Sequence, residues 1–149
     1  MTGGYTNAWL IASGLQDTIN IDPQGSGMID LTRGGPDVDV FITNLQVPAT
    51  GQASEVVLQG FNRAYKKVRA AIWWAEGPSN HDDVDLILTA PDGQAAGSVL
   101  GASVFEKAVI NNVSTVGTWK VRINTYSSTY PQSGIIPIRE VNIAVIGDL

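Results

Sequence analysis

Asp83-Val84-Asp85-Leu86-Ile87-Leu88-Thr89-Ala90-Pro91-Asp92-Gly93 is the stretch that decides the fold. Val84, Leu86 and Leu88 alternate with Asp83, Asp85, Ile87 and Thr89. A period of two places one set of side chains on a buried face and the other on a wet one, as in a strand of an antiparallel sheet. Ala90-Pro91-Asp92-Gly93 then predicts a tight turn: proline presets φ, and glycine is free to take a positive φ.

The same period extends outward in both directions. In Lys67 to Trp74, Val68, Ala70, Ile72 and Trp74 share one face, and Lys67, Arg69, Ala71 and Trp73 the other. In Thr118 to Asn124, Trp119, Val121 and Ile123 alternate with Thr118, Lys120, Arg122 and Asn124. Val38 to Ile42, Ser54 to Phe61 and Val141 to Val145 add short apolar runs. The expectation is an all-β protein: an antiparallel β-sandwich, a jelly roll of seven to eight strands.

Residues 1–35 read differently. Ala8-Trp9-Leu10-Ile11-Ala12-Ser13 is an apolar run ended by Gly14, either a last helical turn or a short strand. Gly34-Gly35-Pro36 reads as a linker. The expected organisation is therefore a leading segment over 1–35 and a sandwich over 36–149.

Composition bounds the rest. The chain has 149 residues, 44% apolar and 15% charged, with a net charge of −5. Such a chain buries roughly 70% of its unfolded surface as one domain. It is too apolar and too weakly charged for disorder. No stretch approaches the roughly 18 apolar residues of a membrane helix. The acidic balance argues against nucleic acid as a partner, and no membrane partner is expected. Cysteine is absent, so thiol chemistry and disulfides are excluded. No cationic, apolar leader is visible at Met1-Thr2-Gly3-Gly4.

Chemistry has few places to reside. His81 is the single histidine. No Gly-x-Ser-x-Gly turn stands ready to partner it, and no phosphate loop or His/Cys metal spacing exists. His81 itself reads as an exposed loop residue. The expectation is that this chain is not an enzyme.

Four blocks in order resemble a known family. They are Val68-Arg69-Ala70-Ala71-Ile72-Trp73-Trp74, the Asp83–Gly93 stretch, Phe105-Glu106-Lys107-Ala108-Val109-Ile110, and Gly117-Thr118-Trp119-Lys120-Val121-Arg122-Ile123. Together they resemble the jelly-roll domains that follow the catalytic domain in secreted subtilisin-like serine proteases. Gln24-Gly25-Ser26-Gly27-Met28-Ile29-Asp30-Leu31 resembles a segment near the end of the subtilase catalytic domain, and Asn7 to Ser13 the helix before it. Asp83-Val84 stands where that family has Asp-Leu, and Trp73-Trp74 doubles its single tryptophan. The resemblance implies a secreted precursor and a non-catalytic accessory domain whose partner is the parent protease's catalytic domain. Its roles would be to stabilise the protease or assist substrate binding. The protease's Gly-Thr-Ser-Met-Ala nucleophile motif is absent from this chain.

Two sites are expected. Asp82, Asp83, Asp85 and Asp92 crowd one strand and its turn, and hard cations such as calcium want six to eight oxygens. The resemblance also implies calcium in such loops. Trp73, on the face opposite Ile72 and Trp74, is the expected ligand-binding platform. Arg63, Lys66, Lys67 and Arg69 read as a solvated strand edge. Three rivals stand beside the accessory domain. One is a stand-alone binding module for polysaccharide or fibrous protein, using Trp73 and nearby tyrosines. The others are a capsid-like jelly roll that assembles and an enzyme with dispersed carboxylates.

Overall fold

The computed structural model describes residues 3–13, 37–132 and 139–149. A helix, α1 (Gly3–Ser13), precedes eight strands. They are β1 (Val38–Gln46), β2 (Ala53–Val57), β3 (Tyr65–Trp74), β4 (Asp82–Thr89), β5 (Ala95–Ser98), β6 (Phe105–Val113), β7 (Lys120–Ser128) and β8 (Glu140–Asp148). Sheet one runs β1-β8-β3-β6 and sheet two β2-β7-β4-β5, every pair antiparallel. Successive strands lie in opposite sheets except for the β4–β5 hairpin, which stays within sheet two, and these two strand orders are those of the eight-stranded jelly roll. The all-β antiparallel sandwich expected from the alternation is what forms. β5 adds a strand that the alternation does not show, because Ala95-Ala96-Gly97-Ser98 carries too little apolar contrast to display a period.

The core follows the alternation residue by residue. Val68, Ala70, Ile72 and Trp74 of β3 meet Val84, Leu86 and Leu88 of β4 and Val121 and Ile123 of β7, all buried. Trp119 lies just ahead of β7 in the same cluster. Tyr65 packs its ring at 6.0 Å from Trp119, at 77°. Its hydroxyl donates to Asp39 Oδ2 at 2.6 Å. Burial and that carboxylate together push the Tyr65 hydroxyl well above the usual phenol range. Gly147 makes this placement possible, because a Cβ there would stand 2.7 Å from the Tyr65 ring.

Sheet one's outer face departs from the expected wet side. Ala71, Ala144 and Ile146 are buried beneath Ala8 and Ala12 of α1, with Trp9, Ile11, Val38 and Trp73 packed around them. Ala8 and Ala12 lie one helical turn apart on one side of α1. Small side chains on both surfaces let the helix approach the sheet closely. The Ala8–Ser13 run is thus helical, and α1 packs on the sandwich. The expected boundary at 35/36, the Gly25–Leu31 segment and Gly34-Gly35-Pro36 lie outside the described residues.

Lys67 and Arg69 sit on β3, which is flanked by β8 and β6, so the expected strand edge is an interior strand. Arg69 is buried and bonds Asp148 Oδ2 at 2.7 Å.

Candidate functional site

The four expected calcium ligands separate in space and in role. Asp82, the first residue of β4, is fully buried. Arg139, just before β8, grips its carboxylate through Nε at 2.7 Å and Nη2 at 2.9 Å. Ser128 Oγ donates to the same carboxylate. Asp82 is therefore a structural anion rather than a cation ligand. Asp92 lies beyond the far end of β4, about 20 Å of strand from Asp83. Its carboxylate accepts from Gln94 N at 3.0 Å and Gln94 Nε2 at 2.8 Å, bonds that hold it below the usual carboxylate range. It closes the Ala90–Gln94 turn, where Gly93 takes a φ of 89°.

Asp83 and Asp85 do share the outer side of β4, as their spacing predicts. Burial, then the Asp83 charge, raises the Asp85 carboxyl. Asp83 Oδ1 is buried without a hydrogen-bond partner among the described residues. Among the described residues, no three acids or histidines converge on a position for a metal ion. The four aspartates thus form no common site.

Trp73 is also reassigned. It is half-buried against the α1 cluster on sheet one, so its ring is not presented as a free platform.

His81 is a bridging group instead of a free loop residue. Its Nδ1 lies 2.9 Å from Glu76 Oε2 and its Nε2 2.8 Å from the Gly101 carbonyl. Glu76 Oε1 accepts from Trp74 Nε1 at 2.9 Å and from Asp82 N at 2.7 Å. Tyr130, whose hydroxyl accepts from Gly77 N at 2.8 Å, lies under the Arg139 guanidinium at 4.1 Å. This network ties the β3–β4 connection, the β5–β6 connection and the start of β8 into one end of the sandwich. Next to it, Glu106 is fully buried and accepts from Leu100 N at 2.7 Å and from Ser98 Oγ. Burial, reinforced by the charges of Asp85 and Asp83, pushes its carboxyl up to about 7.

The open surface lies elsewhere, on the outer face of sheet two. A groove of about 730 Å³ is lined by Gly51, Gln52, Ala53, Asp85, Arg122, Asn124, Thr125 and Tyr126. Gly51, with φ of 78°, turns the chain into β2, and its N–H donates to Thr125 O at 2.8 Å. Arg122 Nε donates to Asn124 Oδ1 at 2.9 Å. Tyr126 is 74% exposed. The alternating run Thr118 to Asn124 stops two residues short of Tyr126. The outward alternation Lys120, Arg122, Asn124, continued one step further, reaches it.

No protein-family model matches the chain, and no curated protein matches it. Three solved structures with a similar course of chain come from viruses. A Nora virus structure is 10% identical, with a TM-score of 0.40, over 74% of this chain and 55% of that one. The Penaeus vannamei nodavirus P-domain is 13% identical, with a TM-score of 0.40, over 70% of this chain and 93% of that one. The virus-like particle of Macrobrachium rosenbergii extra small virus is 12% identical, with a TM-score of 0.28, over 93% of this chain and 98% of that one. The chain thus spans about half the length of the Nora virus chain it matches. At these scores the likenesses carry no functional argument.

Proposed function

We propose that this chain is the non-catalytic accessory jelly roll of a larger, secreted subtilisin-like serine protease. One observation supports the reading above others. The four blocks that resemble that family fall on four strands of one core. Val68–Trp74 lies in β3, Asp83–Thr89 in β4 with its Ala90–Gly93 turn, Phe105–Ile110 in β6, and Gly117–Ile123 leads into β7. Their inward residues, among them Trp74, Leu86, Leu88, Ile110, Trp119 and Val121, pack on one another. The resemblance is therefore carried by core-forming positions taken alternately from both sheets. In this role the sandwich works by burial: an apolar face docked on a neighbouring domain stabilises it, since anything that binds only the folded form adds to its stability.

The test is the coding sequence upstream of Met1. A Gly-Thr-Ser-Met-Ala-like segment there, preceded by the protease's Asp and His motifs, is the expected result. An unrelated upstream domain, or no upstream coding sequence, overturns the proposal. In the longer protein, removal of residues 37–149 is expected to lower the melting temperature of the catalytic domain.

A further inference from the structure

We propose that the outer face of sheet two binds a neutral polysaccharide, with Tyr126 as the stacking platform. The inference stands apart from the protease reading and is tested on this chain alone.

The presentation of Tyr126 is the first argument. Thr125 pairs with Val84 and Ser127 with Asp83, so Tyr126 is the extra residue of a β-bulge and has no partner across β4. Bulges re-aim side chains, and they occur where a strand serves a purpose besides pairing. Period-two alternation along β7 already turns the Tyr126 ring outward, and the bulge leaves it without a cross-strand neighbour on β4, exposed at the rim of a groove. A ring left in water on a strand gains free energy when an apolar surface covers it. The C–H face of a pyranose is such a surface.

The groove floor is the second argument. Asp85, Arg122 and Asn124 lie on adjacent strands β4 and β7, with Asp85 directly opposite Asn124. A carboxylate, a guanidinium and an amide are planar groups that bond pairs of neighbouring hydroxyls. Arg122 Nε donates to Asn124 Oδ1 at 2.9 Å, so the two side chains already share one arrangement on the groove floor. Pre-ordering of this kind lowers the entropy cost of binding.

Charge and size select the ligand class. The groove carries one acid and one base, and the adjoining Glu55 and Lys120 pair at 3.4 Å. A polyanion or a polycation would meet as much repulsion as attraction. The chain's net charge of −5 further disfavours a polyanion. A volume of about 730 Å³ falls in the range of sites that hold small ligands.

Affinity electrophoresis tests the proposal. Native gels would contain hydroxyethylcellulose, xylan, glucomannan or laminarin, with heparin and gelatin gels run beside them. The expected result is retardation in at least one neutral polysaccharide. Tyr126→Ala should weaken that retardation about tenfold or more, and Tyr126→Phe should stay within about threefold of the parent. Arg122→Ala, an exposed change on the floor, should also weaken it. Circular dichroism checks that each variant is folded. Retardation in no neutral gel, in heparin alone or in gelatin alone overturns the proposal. So does retardation that survives both Tyr126→Ala and Arg122→Ala. None of these outcomes bears on the sequence upstream of Met1, so the two proposals fail separately.

Discussion

Arg139 clasps Asp82 with two hydrogen bonds, at 2.7 and 2.9 Å, and thereby joins the two sheets at one end of the sandwich. Asp82 opens β4 of sheet two, and Arg139 directly precedes β8 of sheet one. Tyr130 stacks beneath the guanidinium, and Ser128 completes the carboxylate's partners. The anion is wholly buried, so its worth depends on keeping every partner.

Removal of one side of this pair strands the other. Arg139→Ala is expected to destabilise the fold by about 3–5 kcal/mol, because it leaves a buried carboxylate uncompensated. The double change Asp82→Leu with Arg139→Met is expected to recover much of that loss. Urea denaturation of the parent, single and double variants measures both. A double variant as unstable as the single one would mean that shape, rather than charge, sets the cost.

Trp119 and Lys120 are neighbours with opposite fates. Trp119 is fully buried, so Trp119→Ala should cost about 3–5 kcal/mol through the cavity it leaves. Lys120 pairs with Glu55 on the surface at 3.4 Å, and Lys120→Ala should stay within about 0.5 kcal/mol. Denaturation midpoints of the two variants compare them directly.

The α1 contact leaves no room for larger side chains. Ala12 is fully buried beside Ala71 and Ala144. Ala12→Leu should cost about 1–3 kcal/mol by overpacking. It should also increase Trp73 accessibility, read as fluorescence quenching by acrylamide. Equal stability of parent and variant would mean that the helix does not rest on the sheet in solution.

Stability should fall as pH rises from mildly acidic to mildly alkaline. The His81 nitrogens lie against a carboxylate and a carbonyl, oxygens that accept, so the ring satisfies both only as an imidazolium. The Glu76 bond raises its pKa, and the contribution is lost as pH climbs through the raised value. Glu106 acts in the same direction. Its carboxyl titrates near 7 when folded and at 4.5 when free, so the folded state holds a proton that the unfolded state has released. That contribution is full below 4.5 and is lost as pH rises through about 7. Melting temperatures at about pH 5 and about pH 8 read the slope. Glu106→Gln, which cannot ionise, should flatten it. A rising or flat profile in the parent would contradict both assignments.

Much of the fold was written in local pattern. Period-two alternation in Lys67–Trp74, Asp83–Thr89 and Thr118–Asn124 assigned core faces that the structure reproduces, because a one-residue slip would expose every apolar side chain of the strand. The Pro91-Asp92-Gly93 turn was equally legible, since its conformation depends on residues next to one another. What lay beyond the sequence was everything decided by distant partners. Asp82, one residue before the alternating run, looks like its acidic neighbours until Arg139, 57 positions later, claims it. Trp73 looks like a surface ring until α1 covers its side of the sheet. Tyr126 looks like an ordinary strand residue until the β4–β7 register skips it. Alternation states which face a side chain takes. Whether that face meets water, a helix or an opposite charge is fixed only when the sheets stack and segments far apart in the chain meet.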